Sequence, residues 1–425
     1  MGCAPVCLEP SGKYIRRDMK KSSKEKSGGD IENGIRSLRQ QLSPVYFLAW
    51  IFLLNFVSRI ILSPLLPSIE KELGISHGQA GFLFFLSSAG YLVGLLSSGL
   101  LTSRSSHRLA IVVSIAGVGV SMSVVAAATD VGLIRCGLAG VGLAAGLYMP
   151  SAIATITSLV DRPHWGKAIA VHELAPNLAF FISPFIAELF LQWSSWRAAL
   201  GLLAALALLA SASFAYWGRG GEFSGESPIS SAFGELVRAP AFWLLVVLFA
   251  LGVSSTVGVY AMLPLYLVTE RMMEPSWTNA VVAFSRSHGP ILGLLGGWAC
   301  DKLGAKQTIV VSLGFTGLLT LLLGLAPNSW LGVAVFFQPL LAVWFFPAAF
   351  AAIAMITPPK ARNLAVAFSV PVGFLIGGGA IPTFIGARGD AGSFASGFTA
   401  TGAMIACGGA LALLLKLPKS LPRER

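Results

Sequence analysis

The sequence predicts an all-α membrane protein: twelve transmembrane helices in two pseudo-symmetric six-helix bundles around a central cavity, with both termini cytoplasmic. Three observations predict it. Of 425 residues, 55% are apolar and only 12% are charged, and the mean hydropathy is +0.75. Soluble domains carry about a quarter charged residues, so lipid is the implied solvent. Crossing hydrocarbon takes about 20 mostly apolar residues in a helix, and such runs recur along the whole chain. Finally, segments of the first half return in the second.

Residues 1–43 hold nine Lys/Arg and five Asp/Glu and read as a basic cytoplasmic tail. Within it Ile31, Ile35, Leu38 and Leu42 recur at helical spacing beside Arg36 and Arg39. A short amphipathic surface helix is therefore the alternative to unstructured chain. Hydropathy places spans at 45–66, 79–101, 109–128, 132–157, 167–190 and 197–217, within a first bundle of residues 44–217. A polar Gly/Ser-rich stretch, 218–238, reads as a cytoplasmic linker. Spans at 241–268, 278–300, 308–326, 331–356, 363–386 and 394–415 make a second bundle of residues 239–416, and 417–425 is a short basic tail.

Loop charge orients the chain. Arg104, Arg108, Arg162, Lys167, Lys302, Lys306, Lys360 and Arg362 fall on the side of the termini. The opposite loops carry only Lys71, Arg197, Arg271 and Arg388. Cations accumulate on cytoplasmic loops, which predicts a multi-pass protein of the cell (inner or plasma) membrane. The same distribution accounts for the net charge of +11 without a nucleic-acid groove. The five cysteines lack metal spacing, and GVGVS and GLAGVG lie inside apolar spans, outside any strand-to-helix turn. No enzyme, cofactor or metal is implied, and nothing demands more than a monomer.

The repeat is visible in two segments, GLLTSRSSHRLAIVVS from Gly99 to Ser114 and GWACDKLGAKQTIVVS from Gly297 to Ser312, offset by 198 residues. They resemble the signature loop of the major facilitator superfamily, found after its second and eighth helices. Gly297, Asp301, Lys302, Gly304 and Lys306 fit the pattern. The first copy keeps Gly99, Arg104 and Arg108 but has Ser103 in place of the acid and Ser106 in place of the glycine. The resemblance makes both segments cytoplasmic gating loops, and the missing acid implies a weaker latch in the first half. Residues 55–81 and 134–151 resemble the first and fourth helices of the superfamily's anion:cation symporters and organophosphate antiporters. Ser58 stands where an acid often precedes the first-helix arginine. The implied activity is secondary transport of a small solute by alternating access, with helices 1 and 8 lining the cavity.

Ionisable groups inside spans cost a few kcal/mol and are functional by default. Arg59 lies about 5 Å outward of the midplane at a rise of about 1.5 Å per residue, with Asn55 and Ser63 on its face. Arg286 lies at similar depth in the eighth span. Two arginines there suit a carboxylate or phosphate, which guanidinium binds bidentately. The competing reading makes each arginine a tie to an acid or to helix carbonyls. Tyr260 and Gln338, with Tyr91 and Tyr148, lie on spans that the resemblance places at the cavity. Glu173 beside His172, in an apolar stretch interrupted by Pro176, is the candidate proton carrier; pairing with Arg162 or Lys167 is the alternative. Arg135 either enters the cavity or snorkels to the interface. Gly373, Gly377, Gly378 and Gly379 before Pro382 make the eleventh span pliable or closely packed.

The favoured function is transport of an organic anion with a co-transported proton. A proton-coupled exporter of apolar or cationic compounds would want a buried acid and be indifferent to Arg59. A transport-fold sensor would use the tail to bind a partner.

Overall fold

The computed structural model describes residues 38–225, 238–358 and 361–417. The basic tail to residue 37, residues 226–237 of the linker and the last residues lie outside them. So does most of the amphipathic stretch. Among the described residues there is no strand, as expected where the solvent offers the backbone no hydrogen-bond partner.

In the first half α1 (Leu38–Ile60) and α2 (Leu62–Leu73) meet at a break and are followed by α3 (His77–Arg104) and α4 (His107–Ala127). Then come α5 (Val131–Gly146), α6 (Tyr148–Leu159), α7 (Trp165–Trp193) and α8 (Trp196–Trp217). In the second half α9 (Pro240–Val253) runs through a π turn at Ser254–Gly258 into α10 (Val259–Thr269). It continues with α11 (Pro275–Ser285), α12 (Gly289–Leu303), α13 (Ala305–Leu325), α14 (Asn328–Phe337) and α15 (Phe345–Ile356). Then α16 (Arg362–Gly373) passes through a second π turn, Phe374–Ala380, into α17 (Ile381–Asp390), and α18 (Phe394–Leu411) follows.

Eleven helical stretches among the described residues are long and apolar enough to cross a membrane, against twelve expected. The difference is the expected eighth span, which is divided into α11 and α12 at Arg286–His288. Pro290 has no N–H with which to continue the ladder, and the Gly289 N–H reaches only to the Arg286 carbonyl, at 3.1 Å.

The repeat is a repeat of contacts. Ser114 Oγ donates to the Ala144 carbonyl at 2.7 Å, and Ser312 Oγ, its counterpart in the second IVVS, donates to the Leu341 carbonyl at 2.8 Å. Glu72 and Glu270 also stand 198 apart, and each holds the start of its half's last helix. Glu72 accepts from Trp196 Nε1 at 2.6 Å and pairs with Arg197. Glu270 accepts from the backbone N–H groups of Phe394 and Ala395, where the positive end of the α18 dipole favours a carboxylate. These contacts gather the turns after α2, α4, α7, α10, α13 and α17 on one side, called here the far face. In one of those turns Glu274 caps α11, and the Ser276 and Trp277 N–H groups hold its carboxyl below the usual range.

The two halves meet closely at the far face. Asp390 of α17 receives Ser76 Oγ at 2.8 Å, the His77 N–H at 2.8 Å and the Gly78 N–H at 2.9 Å, capping α3 from across the interface. Asn279 Nδ2 donates to Glu188 at 2.9 Å, and Ser63 Oγ to the Tyr260 carbonyl at 2.7 Å. Between α3 and α17 a Cβ at Gly81 would overlap the Pro382 carbonyl, and one at Gly386 the His77 carbonyl. Close approach therefore requires glycine at both. At the opposite, near face the first part of the linker folds back on the α3–α4 turn. Arg108 N–H donates to the Gly221 carbonyl at 2.7 Å, and Gly225 N–H to the Thr102 carbonyl at 3.0 Å.

Asp390→Ala removes every acceptor of the far-face cap and is expected to loosen that seal. In a background with the native cysteines replaced, Ser63→Cys, buried in the wild-type seal, should then react several-fold faster with a membrane-impermeant maleimide. An unchanged labelling rate would show that Asp390 does not hold the halves together.

Candidate functional site

Arg59 is the last residue but one of α1, two before Ile61, among side chains that are almost all apolar. Its guanidinium carbon lies 3.9 Å from the Tyr91 ring centroid, 4.9 Å from Phe374 and 5.7 Å from Phe56. Cation–π contact returns about 0.5–2 kcal/mol per ring, but none of these groups carries a negative charge at neutral pH. Arg59 has no carboxylate partner among the described residues. Beside it is a cavity of about 20 Å³, whose lining includes Phe56, Ser87, Ser88, Phe374 and Gly378. First and second halves both contribute to this wall.

Arg286, 5% exposed, caps α11 at the break in the eighth span. Its guanidinium carbon sits 5.0 Å from the Phe180 ring and 5.2 Å from Tyr260. One N–H group reaches the Thr256 carbonyl at 3.5 Å, inside the π turn where helix carbonyls lose their usual partners, while Nε has none. Phe56 and Phe180 pack edge to face at 5.4 Å. The two arginines therefore belong to one aromatic cluster, with two rings between them.

The other expected residues are distributed around this cluster. Asn55 is buried with Nδ2 unpartnered, and the Tyr260 hydroxyl is likewise buried and unpartnered. Gln338 turns away into the second half, donating to the Ser255 carbonyl at 2.8 Å and to Thr320 Oγ1 at 3.1 Å. Arg135 is half-buried, one turn into α5, with Nε unpartnered.

His172 and Glu173 form part of a chain of polar contacts. Glu173 Oε1 lies 3.1 Å from His172 Nδ1, and His172 Nε2 lies 3.2 Å from the Tyr148 hydroxyl. That hydroxyl donates to the Leu48 carbonyl at 2.6 Å. Phe52 stacks flat on the imidazole at 4.5 Å and 5°, so the ring cannot turn out of the chain. His172 is fully buried, but the Glu173 side chain is 41% exposed. Glu173 also lies within electrostatic reach of Tyr91, the ring on which Arg59 rests.

At the near face Gly304 has φ +86°, the one signature-loop glycine whose backbone demands glycine. Asp301 and Lys302 are exposed, as is Arg104, while Gly99 and Gly297 are half-buried. Arg108 pairs with Glu222 of the linker at 2.6 Å. The acid missing at Ser103 is thus supplied from outside the motif.

Sequence reasoning passed over Asp390, Glu188, Glu222 and the Ser87–Ser88 pair. Glu188 carried a signal, being an acid within the expected fifth span. The others sit in a Gly-rich turn, in the linker, and in a helix face that reads as packing.

The family model described as Major Facilitator Superfamily matches residues 48–287 and 289–425. A similar relative is the "Probable nitrate/nitrite transporter NarK2" of Mycobacterium tuberculosis (strain CDC 1551 / Oshkosh), 24% identical over 307 residues, covering 68% of this chain and 74% of that one. Among solved structures, a bacterial homologue of the human lysosomal transporter Spinster, inward-facing and occupied, superposes with a TM-score of 0.74 at 15% identity, over 90% of this chain and 97% of that one. A POT family transporter in complex with a thioalcohol-conjugated peptide superposes with a TM-score of 0.75 at 12% identity, over 88% and 96%. These likenesses carry the fold; together with the family match they make the chain a member of the Major Facilitator Superfamily of secondary transporters.

Proposed function

We propose that this protein carries a small anion across a cell membrane by alternating access, with Arg59 as the principal anion ligand and Glu173 as the proton carrier. The observation that carries this reading is the Arg59 environment: a guanidinium held on three aromatic rings beside a cavity, with no carboxylate to neutralise it. A structural arginine at this depth would pair with an acid or, like Arg286, turn to a helix carbonyl. One left with ring faces and a cavity is set to take its counter-ion from the substrate. Arg286 would add positive potential from behind Phe56 and Phe180, and Asn55 and Tyr260 would supply polar groups. Gln338 and Arg135 would shape the two bundles.

In this reading the near face, with its cationic loops, is cytoplasmic, and the far-face ties close the outer side. The relative described as a nitrate/nitrite transporter supports an anionic substrate. Glu173 would exchange its proton through its half-exposed carboxyl, and the His172–Tyr148 chain would register its charge at α1 through the Leu48 carbonyl. A second reading, export of apolar or cationic compounds, draws on the same exposed Glu173 carboxyl.

Arg59→Ala in liposomes should reduce uptake of labelled nitrate and of acetate at least about tenfold, the worth of a charge-assisted hydrogen bond, with the folded protein still present in the membrane. Unchanged uptake would remove Arg59 from the site, and transport of organic cations by both proteins would favour the exporter. Glu173→Gln should abolish the stimulation of uptake by an imposed pH gradient while leaving anion exchange at equilibrium intact. Retained stimulation would exclude Glu173 as the proton carrier.

A further inference from the structure

The cavity beside Arg59 constrains its ligand more tightly than the arginine does. At about 20 Å³ it holds one or two waters. Besides Arg59 its polar lining is Ser87 and Ser88 of α3, 8% and 5% exposed. Hydroxyls within these spans commonly donate to their own helix. Thr155 donates to the Ser151 carbonyl at 2.8 Å, Ser183 to Ala179 at 2.7 Å, Ser254 to Ala250 at 2.7 Å and Thr383 to Gly379 at 2.9 Å. Neither Ser87 nor Ser88 has a side-chain hydrogen-bond partner among the described residues. Both donors remain available at the cavity wall.

Gly378, in the π turn of the opposite half, sets the size of the space. A Cβ there would stand 3.3 Å from Ser88 Oγ, 3.5 Å from Val257 Cγ1 and 3.6 Å from Phe374 Cδ1. These are tight to ordinary contacts, so a methyl would fit without disturbing the backbone and would occupy the volume in front of Ser88. The Tyr91 and Phe374 rings lie against the Arg59 guanidinium, with the Tyr91 side chain also in hydrogen-bonding reach of it, which leaves the remaining N–H groups for a ligand. Charge sets a second limit. One unneutralised cation lines this cavity; Arg286 is buried behind Phe56 and Phe180 and turned to the Thr256 carbonyl.

We infer that Ser87, Ser88 and Gly378 complete the anion site with Arg59, and that the site selects small planar monoanions of the formate, nitrite, nitrate and acetate kind over phosphate esters and polycarboxylates. A planar oxyanion meets the guanidinium edge with two oxygens, and the serine hydroxyls donate to the outer lone pairs of those oxygens or, in nitrate, to the third oxygen. A phosphate ester brings more volume than the cavity holds and a second charge that no cation there answers. This inference rests on the reading of Arg59 as an anion ligand.

The test is ligand-induced thermal stabilisation of the purified full chain in detergent, at constant ionic strength, with sodium formate, nitrate, glycerol 3-phosphate and citrate. Formate and nitrate should stabilise wild type, and glycerol 3-phosphate and citrate should not. Gly378→Ala should keep the ligand-free melting temperature and bind formate and nitrate about tenfold or more weakly, the discrimination one methylene gives in a closed pocket. Ser88→Ala, which adds no volume, should weaken both by roughly tenfold through loss of a hydrogen bond to a charged acceptor. Stabilisation by citrate or glycerol 3-phosphate equal to that by nitrate would overturn the inference. So would wild-type affinity for nitrate and formate in both Gly378→Ala and Ser88→Ala, even if Arg59→Ala loses binding and the broader anion reading stands. Undiminished binding by Arg59→Ala would remove that reading and this one together.

Discussion

The constraint on which the rest of this structure depends is a positive charge held in an apolar interior without a protein counter-ion. Moving a guanidinium to that depth costs several kcal/mol, and aromatic contacts offset only part of it. The architecture around Arg59 is arranged to keep the deficit in place. The ring faces of Tyr91 and Phe374 hold the guanidinium plane. Phe56 and Phe180 stand between it and the second arginine. In the proposed function an incoming anion would supply the missing charge, and the free energy released there would be available to shift the equilibrium between conformations.

That shift needs two bodies that can separate, and the contacts show where they are rigid. Within each half, equivalent ties recur at the same repeat positions, from the IVVS serines to the paired glutamates Glu72 and Glu270. Between halves the far-face ties are few and each is reversible: a carboxylate over a helix N-terminus, an amide on a carboxylate, a hydroxyl on a carbonyl. The π turns at Ser254–Gly258 and Phe374–Ala380 touch through glycine, where Gly258 lies against the Gly377 carbonyl. Wide turns of this kind let a helix change direction without breaking, and one of them carries Gly378 to the Arg59 cavity. The glycine-rich turn of the eleventh span thus also borders the Arg59 cavity.

Much of the fold was legible in the sequence because the bilayer imposes a length and a polarity on every span. The repeat was legible because IVVS places a serine at the equivalent helix crossing of each half. Arg59, His172 and Glu173 stood out as ionisable groups in apolar runs. The break at Arg286 was missed, although Gly289–Pro290 announces it, because hydropathy does not register a missing N–H. The far-face seal was not legible: Asp390 and Ser76 are 314 residues apart, and an acid in a Gly-rich turn reads as solvent-exposed loop. Glu222 was hidden for the same reason, its partner being a motif from which the expected acid had been lost. Ser87 and Ser88 read as packing, since only the third dimension reveals that their hydroxyls lack the usual carbonyl.

The most direct test of the central claim, that a bound anion neutralises Arg59, is a structure determined at saturating sodium nitrate. The account predicts density for the anion against the N–H edge of the Arg59 guanidinium, within hydrogen-bond distance of Ser88. Arg59 paired instead to a carboxylate of the protein, with nitrate elsewhere or absent, would contradict it.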